Sequence, residues 1–146
     1  MTKLKIVKFP SPILRAVSNA IPAEYRTKFT DAAKAMKEFV EATGHYGLSA
    51  PQIGLSARLI VVRVNGVATV AYKPVIVEAS KSRTINHEGC LSFERRFNWP
   101  VPRHNSVAVE WEDEHGNKAS REFNGLESFV WQHEIDHLNG KLISDY

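Results

Sequence analysis

The sequence has few of the features that mark secreted or membrane proteins. Its 146 residues include one cysteine, so no disulfide can form within the chain. No apolar run approaches the roughly 20 residues that a bilayer-spanning helix needs. Residues 1–7 alternate polar and apolar side chains, which predicts a strand and not an export signal. These absences favour a cytoplasmic protein without membrane association.

Strong charge of either sign is also lacking. Nineteen basic and sixteen acidic residues give a net charge of +3, too small a bias to indicate DNA binding without a basic stripe or a recognition motif. Arg95, Arg96 and Arg103 follow the cysteine closely, and two alternatives stay open for them: lining a groove for a peptide, or ordinary surface positions. The length predicts that residues 1–146 form a single domain.

Periodicity predicts two helices. Apolar residues recur at helical spacing between 23 and 43, and Gly44 follows as a stop signal. A second helix is predicted from Asn124 to Asn139, with Glu127 as the capping-box partner of Asn124 and Gly140 after the last turn.

Strands are predicted between these helices. Asn65-Gly66 is the dipeptide favoured in tight hairpins, whereas Pro100-Val101-Pro102 is expected to break the chain. The predicted strands are 58–64, 67–72, a third around 75–77, 106–112 and 118–123. The expected fold class is α+β, with antiparallel β-sheets packed around a C-terminal metal-binding helix.

That helix carries His133-Glu134-Ile135-Asp136-His137, an H-E-x-x-H motif. Two histidines at i and i+4 project from one helix face and can share a metal ion, while the intervening glutamate points at what the metal activates. A tetrahedral catalytic site needs a third protein ligand and one open position. Ile143 stands where a longer form of the motif has its last histidine, and few residues follow, so the third ligand is expected upstream. The upstream candidates are His45, His87, Cys90, His104 and His115.

Three motifs together resemble the peptide deformylase family. They are Gly47-Leu48-Ser49-Ala50-Pro51-Gln52, Glu88-Gly89-Cys90-Leu91-Ser92 and Gln132-His133-Glu134-Ile135-Asp136-His137. They occur in the family's order and at its usual spacing, and the likeness covers nearly the whole chain. The sequence departs from the family's usual Gly-x-Gly-Leu-Ala-Ala at His45, in place of the first glycine, and at Ser49, in place of the first alanine.

The resemblance implies an enzyme that removes the N-formyl group from formyl-methionine at the start of new polypeptides and releases formate. Cys90, His133 and His137 would hold one divalent metal ion, with Fe²⁺ as the first choice and Zn²⁺, Ni²⁺ or Co²⁺ as substitutes. Glu134 would be the general base and acid for an activated water. Gln52 and the backbone N–H of Leu91 would form the oxyanion hole.

The substrate pocket is predicted from helix spacing and from the same resemblance. Leu126, Phe129 and Val130 share a helix face with His133, and they are expected to line a pocket for the methionine side chain or to pack in the core. Tyr46 and Gly47 would bind an extended peptide backbone. Glu88 and Gly89, beside the cysteine, complete the expected substrate-binding set, and Glu88 could instead orient its own loop.

The expected partners are nascent formyl-methionyl peptides. A transient ribosome contact is expected to be weakened, since relatives usually continue into a further C-terminal helix, and the chain is expected to be a monomer in a bacterial or virus-infected cell. Two rival functions stay open. One is an H-E-x-x-H zinc metallopeptidase; the other is a non-catalytic metal-binding module closed by a fourth protein ligand such as His45 or His87.

Overall fold

The computed structural model describes residues 4–95 and 98–146. Over these residues the chain forms two α-helices, α1 (Thr30–Thr43) and α2 (Leu126–Leu138). The seven strands are β1 (Gly47–Ser49), β2 (Leu59–Val64), β3 (Val67–Ala79), β4 (Arg83–Glu88), β5 (Trp99–His104), β6 (Ser106–Glu112) and β7 (Lys118–Asn124). Short 3-10 segments lie at Pro12–Arg15, Ala23–Phe29, Ala50–Ile53 and Ile143–Asp145. The α+β class with antiparallel sheets is therefore confirmed.

The strands form a five-stranded antiparallel sheet in the order β1-β2-β3-β6-β7 and a separate antiparallel pair, β4-β5. The predicted β2-β3 hairpin is confirmed. Asn65 and Gly66 both have positive φ, 58° and 81°, which a tight turn of this kind requires.

The two helices cover opposite faces of the larger sheet. Leu59 and Val61 of β2 join the core cluster beneath α1, whereas Ile60, Val62 and Val64 join the cluster that includes Val130, Trp131 and Ile135 of α2. Alternation along a strand sends successive side chains to opposite faces, so β2 is buried on both sides. In β1 the same alternation directs Leu48 towards α1 and its neighbours Gly47 and Ser49 towards α2.

The structure corrects three local predictions at the N-terminal side and in the middle of the chain. Residues 4–7 of the strand expected at 1–7 are not in a strand, and residues 1–3 lie outside the described part. Instead, the backbone N–H of Val7 donates to the carbonyl of Gln52 at 2.7 Å. The strand expected at 75–77 is the continuation of β3 after an irregularity between Tyr72 and Val75. The first helix begins as 3-10 turns and becomes α-helical at Thr30 before Gly44 ends it with φ 74°.

The sequence does not predict the β4-β5 pair, because its prolines indicate a break. Pro100 and Pro102 lie within β5, opposite His87 and Ile85 of β4. A proline lacks the backbone N–H, and a two-stranded pair tolerates it because each strand has an unpaired edge.

Helix α2 begins two residues later than expected. Asn124 is the last residue of β7, and Gly125 (φ 59°, ψ −132°) occupies the N-cap position without a side-chain capping bond, so the capping box with Glu127 is wrong. The C-terminal end of the helix agrees with the prediction, since Asn139 is the C-cap residue. Neither α-helix within residues 4–95 and 98–146 is long and apolar enough to cross a bilayer.

Candidate metal centre and active-site cleft

Three donor groups converge where α2 meets the loop after β4. One donor atom each from Cys90, His133 and His137 lies within 4.8 Å of the other two, and Cys90 Sγ is 3.3 Å from His137 Nε2. The histidines lie one helical turn apart on α2, while the cysteine comes from a turn in which the N–H of Phe93 donates to its carbonyl at 3.0 Å. The two segments thus bring a thiol and two imidazoles to one point.

The orientation of His133 is fixed by a carboxylate. His133 Nδ1 lies 2.9 Å from Glu88 Oε1, which leaves Nε2 as the nitrogen available towards the cluster. Glu88 in turn accepts two hydrogen bonds from Arg103, from Nε and Nη2, both at 2.8 Å. The Glu88 side chain thus orients the His133 ring, a contact that the sequence did not predict, and it also borders the cleft.

Arg103 is a buried organising residue and not a groove or surface residue. Its side chain is 2% exposed, and besides Glu88 it binds Asp136 Oδ2 at 2.6 Å. Tyr146 completes the network by donating its hydroxyl to the same Asp136 oxygen at 2.6 Å, with its ring against the Arg103 guanidinium. Arg95 is exposed and Arg96 lies outside the described residues.

This network sets the charge of the site. Burial tends to raise the pKa of Glu88, but the hydrogen bonds from Arg103 and His133 outweigh it and lower the pKa to about 2. Burial also tends to lower the pKa of His133, yet the interactions with Cys90 and Glu88 raise it well above its usual range. Burial and then the charge of His133 lower the pKa of His137. Glu88 is therefore a fixed anion beside the first imidazole.

The donor set fits a divalent metal ion. A thiolate and two imidazoles are ligands typical of zinc and of iron(II), and three protein ligands leave a position open. The carboxylate-histidine pair formed by Glu88 and His133 is the usual support of a metal-binding imidazole. Among residues 4–95 and 98–146, Cys90, His133 and His137 form the one cluster of this kind.

Glu134 lies beside the cluster and is packed against a glycine. Its side chain is 4% exposed, and its Oε1 has no hydrogen-bond partner among the described residues. A Cβ on Gly47 would lie 2.6 Å from Glu134 Oε2 and 2.9 Å from its Cγ. Sequence reasoning placed Gly47 against the substrate backbone and missed this contact. Burial raises the pKa of Glu134 to about 7, although the charge of His133 acts in the opposite direction.

Gln52 lies next to the cluster on the side of Cys90. Its Nε2 is 3.5 Å from Cys90 Sγ and 3.3 Å from Ser92 Oγ, while its Oε1 accepts from Ser49. Leu91, next to the cysteine, has its carbonyl held by Lys8 Nζ at 2.7 Å. The side-chain amide of Gln52 thus presents its donor end to the cysteine side of the site.

A cleft of about 670 Å³ gives access to this point. Every predicted site residue except His137, which is 2% exposed behind the others, lines it. The cleft-lining members of the predicted set are Tyr46, Gly47, Gln52, Glu88, Gly89, Cys90, Leu91, Leu126, Phe129, Val130, His133 and Glu134. Val130 also packs in the core on α2, so core packing holds for that member of the helix face.

The other candidate ligands lie outside the donor cluster, although His45 and His87 line the same cleft. His104 Nδ1 lies 2.7 Å from the carbonyl of Ser80, and the ring of His115 is 76% exposed. His45 stacks on Phe39, and His87 Nδ1 lies 3.3 Å from the carbonyl of Asn98. Neither His45 nor His87 joins the donor cluster found among the described residues, so the arrangement does not favour a module closed by a fourth ligand.

The site combines an H-E-x-x-H helix, a cysteine that could be a ligand, and a buried carboxylate that lines an open cleft. This combination is typical of hydrolytic enzymes that use one metal ion. Comparison with known proteins narrows this class. The profile of the family described as polypeptide deformylase matches residues 3–146. The chain belongs to the peptide deformylase family.

Individual relatives agree along nearly the full length. The chain is 38% identical over 141 residues to the peptide deformylase of Thermotoga neapolitana, covering 94% of this chain and 82% of that protein. The crystal structure of peptide deformylase from Thermotoga maritima superposes with a TM-score of 0.92 at 30% identity, covering 99% and 97% of the two chains. A Met-Ala-Ser-bound class I type b peptide deformylase from Acinetobacter baumannii gives 0.91 at 29% identity, covering 99% and 98%.

Proposed function

We propose that this protein removes the formyl group from the N-terminal formyl-methionine of newly synthesised polypeptides and releases formate. The observation that carries the proposal is the position of Glu134. Its buried carboxylate has one oxygen without a hydrogen-bond partner among the described residues, and it lines the same cleft as Cys90 and His133 of the donor set. The family profile spans residues 3–146, which supports a single catalytic domain over 1–146.

Cys90, His133 and His137 would hold the divalent ion. Iron(II) is the first choice from the family resemblance, and zinc is the second from the softness of the donors. When bound, the ion supplies a Lewis acid that makes water a competent nucleophile near neutral pH. Glu88 keeps the first imidazole in the tautomer that leaves Nε2 free for ligation.

Glu134 is the group that moves the proton. Its carboxylate takes the proton of the attacking water and delivers it to the leaving amine. Without a bound ion, burial raises the pKa of Glu134 to about 7. A cation at the neighbouring donors would lower that pKa, because positive charge favours the carboxylate form.

Charge that develops on the formyl oxygen needs donors. Gln52 Nε2 and the backbone N–H of Leu91 lie on the cysteine side of the cleft and are proposed to donate to it. Removing one such donor typically costs about 100- to 1000-fold in rate.

The substrate is proposed to lie along the cleft, with the methionine side chain between Leu126, Phe129 and Val130 and the backbone beside Tyr46 and Gly47. The relative from Acinetobacter baumannii was solved with Met-Ala-Ser bound, which is the deformylated form of such a substrate. This supports formyl-Met-Ala-Ser as the test substrate.

The experiment compares the wild-type protein with Glu134→Gln, both loaded with nickel or iron, on formyl-Met-Ala-Ser and on Met-Ala-Ser. We expect formate release by the wild type, no peptide-bond cleavage of either peptide, and turnover abolished in the Gln variant at unchanged metal content, because the amide keeps the shape and loses the base. Cleavage of Met-Ala-Ser would favour the metallopeptidase instead. Wild-type formate release by Glu134→Gln would refute the role of Glu134.

A further inference from the structure

We propose that Ser49 is a positioning residue that fixes which end of the Gln52 side-chain amide faces the reacting group. The inference rests on the proposed role of Gln52 as a donor to the formyl oxygen. It concerns Ser49, whose buried hydroxyl contacts the side-chain oxygen of Gln52.

Two donors from Ser49 converge on the oxygen of the amide. The backbone N–H and the side-chain hydroxyl of Ser49 each donate to Gln52 Oε1 at 3.0 Å. Ser49 is fully buried and Gln52 is 2% exposed, so water does not substitute for either bond. A buried N–H or O–H that loses its acceptor is costly, which makes this pair of bonds a strong constraint on the amide.

The nitrogen of the amide has acceptors on the other side. Nε2 is 3.3 Å from Ser92 Oγ and 3.5 Å from Cys90 Sγ. If the amide turned by 180°, its oxygen would face the cysteine sulfur, and the backbone N–H of Ser49 would face an NH₂ group that cannot accept. The hydroxyls of Ser49 and Ser92 can donate or accept, so they hold the amide in place but do not choose its orientation. The backbone N–H of Ser49 at one end and the cysteine sulfur at the other therefore select one orientation, with the donor end towards the cleft.

The hydroxyl adds to what the backbone already does. With alanine at position 49, the backbone N–H alone would hold Gln52 Oε1, and rotation about the last side-chain bond of Gln52 would be less restricted. Because Ser49 and Gly47 lie on the α2-facing side of β1, the same short strand places Glu134 and Gln52. We infer that Ser49 affects the rate of the chemical step and not substrate affinity.

The test is a double-mutant cycle on the metal-loaded protein with formyl-Met-Ala-Ser, using Ser49→Ala, Gln52→Ala and the double variant. Ser49→Ala should lower kcat about 3- to 10-fold, the range expected for one net hydrogen bond, with KM unchanged. Gln52→Ala should lower kcat about 100- to 1000-fold. In the Gln52→Ala background, Ser49→Ala should cause no further loss, because the group that it positions is absent.

A readout independent of turnover follows the amide itself. The side-chain NH₂ signal of Gln52, assigned by its loss in Gln52→Ala, should show a lower ¹⁵N order parameter in Ser49→Ala than in the wild type. Alanine occupies position 49 in the family's usual motif, so this variant is expected to fold.

Ser128→Ala is the matched control. Ser128 is also fully buried, and its hydroxyl contacts the amide of a glutamine, with Gln132 Nε2 at 2.9 Å, but Gln132 does not line the cleft. Loss of the Ser128 hydroxyl should lower the melting temperature without changing kcat, whether residue 52 is glutamine or alanine. A Gln52→Ala variant with wild-type kcat would refute the role of Gln52 and the inference with it. The expected loss of about 100- to 1000-fold in Gln52→Ala, together with an equal effect of Ser49→Ala in both backgrounds or none in either, would overturn the positioning role alone.

Discussion

Replacing Gly47 by alanine should impair catalysis far more than folding. The new Cβ would lie 2.6 Å from Glu134 Oε2, 2.9 Å from Cγ and 3.0 Å from Cδ. Restoring an ordinary contact of 3.4 Å to the nearest oxygen requires a displacement of about 0.8 Å, the difference between 3.4 and 2.6. The backbone of Gly47 is not in the left-handed region, so the conflict is one of space and not of φ.

The expected losses of stability and of rate depend on which atoms move. The carboxylate is the far end of a flexible side chain, so the fold can accommodate the methyl group at the low end of overpacking costs, about 1 kcal/mol. The carboxylate that is proposed to transfer the proton would, however, leave its position by nearly an ångström, and a misplacement of about 1 Å can cost on the order of 100-fold in rate. We therefore expect kcat on formyl-Met-Ala-Ser to fall about 100-fold while metal content is retained.

The assay measures kcat, metal content and melting temperature in parallel. Gly66→Ala is the control, because Gly66 has φ 81° in the distant hairpin and a Cβ added there would meet no described atom within 4 Å. That variant should lose stability from backbone strain and keep kcat. A metal-loaded Gly47→Ala protein with wild-type kcat would show that the packing of Gly47 on Glu134 has no bearing on catalysis.

Three further predictions address the ligands and their support. Cys90→Ala should lower metal content measured by atomic absorption, because it removes a proposed ligand; full occupancy would reassign the third ligand. Arg103→Met should lower the free energy of unfolding by about 3–5 kcal/mol, because it leaves Glu88 buried without its partner. Arg15→Met, which breaks the exposed pair with Asp145, should cost less than about 1 kcal/mol in the same denaturation experiment, and equal losses would contradict the argument. The iron-loaded protein should lose activity in air faster than the nickel-loaded one, because Cys90, the one thiol, would lie next to a redox-active ion. Equal lifetimes of the two forms would count against this prediction.

Local chemistry in the sequence predicted the local parts of the structure. Asn65-Gly66 identifies a hairpin because the turn needs positive φ at two adjacent residues, and both have it. The spacing of His133 and His137 places both imidazoles on one face of α2, since i and i+4 coincide on any α-helix. The proximity of Cys90 to them required the family motif, because no local pattern relates a turn after β4 to a helix near residue 130.

The parts that escaped prediction depend on long-range contacts. The sequence left Arg103 as a residue of a peptide groove or of the surface, and its burial between Glu88 and Asp136 becomes visible only when β5 packs beside α2. Pro100 and Pro102 indicate a break by local rules, yet β5 forms because β4 lies opposite. The contact of Gly47 with Glu134 likewise joins residues from β1 and α2.

The wide separation of the three donors along the chain has a thermodynamic consequence. Cys90 and His137 are 47 positions apart, so an unfolded chain, or α2 as an isolated peptide, does not present the complete donor set. An ion that binds only the folded form raises its stability by mass action, by about 2.7 kcal/mol when the free ion is at 100 times its dissociation constant. If these residues bind the proposed ion, its loss would weaken the whole tertiary structure as well as the proposed chemistry, and the supply of the metal in the cell would be one determinant of how much folded protein persists.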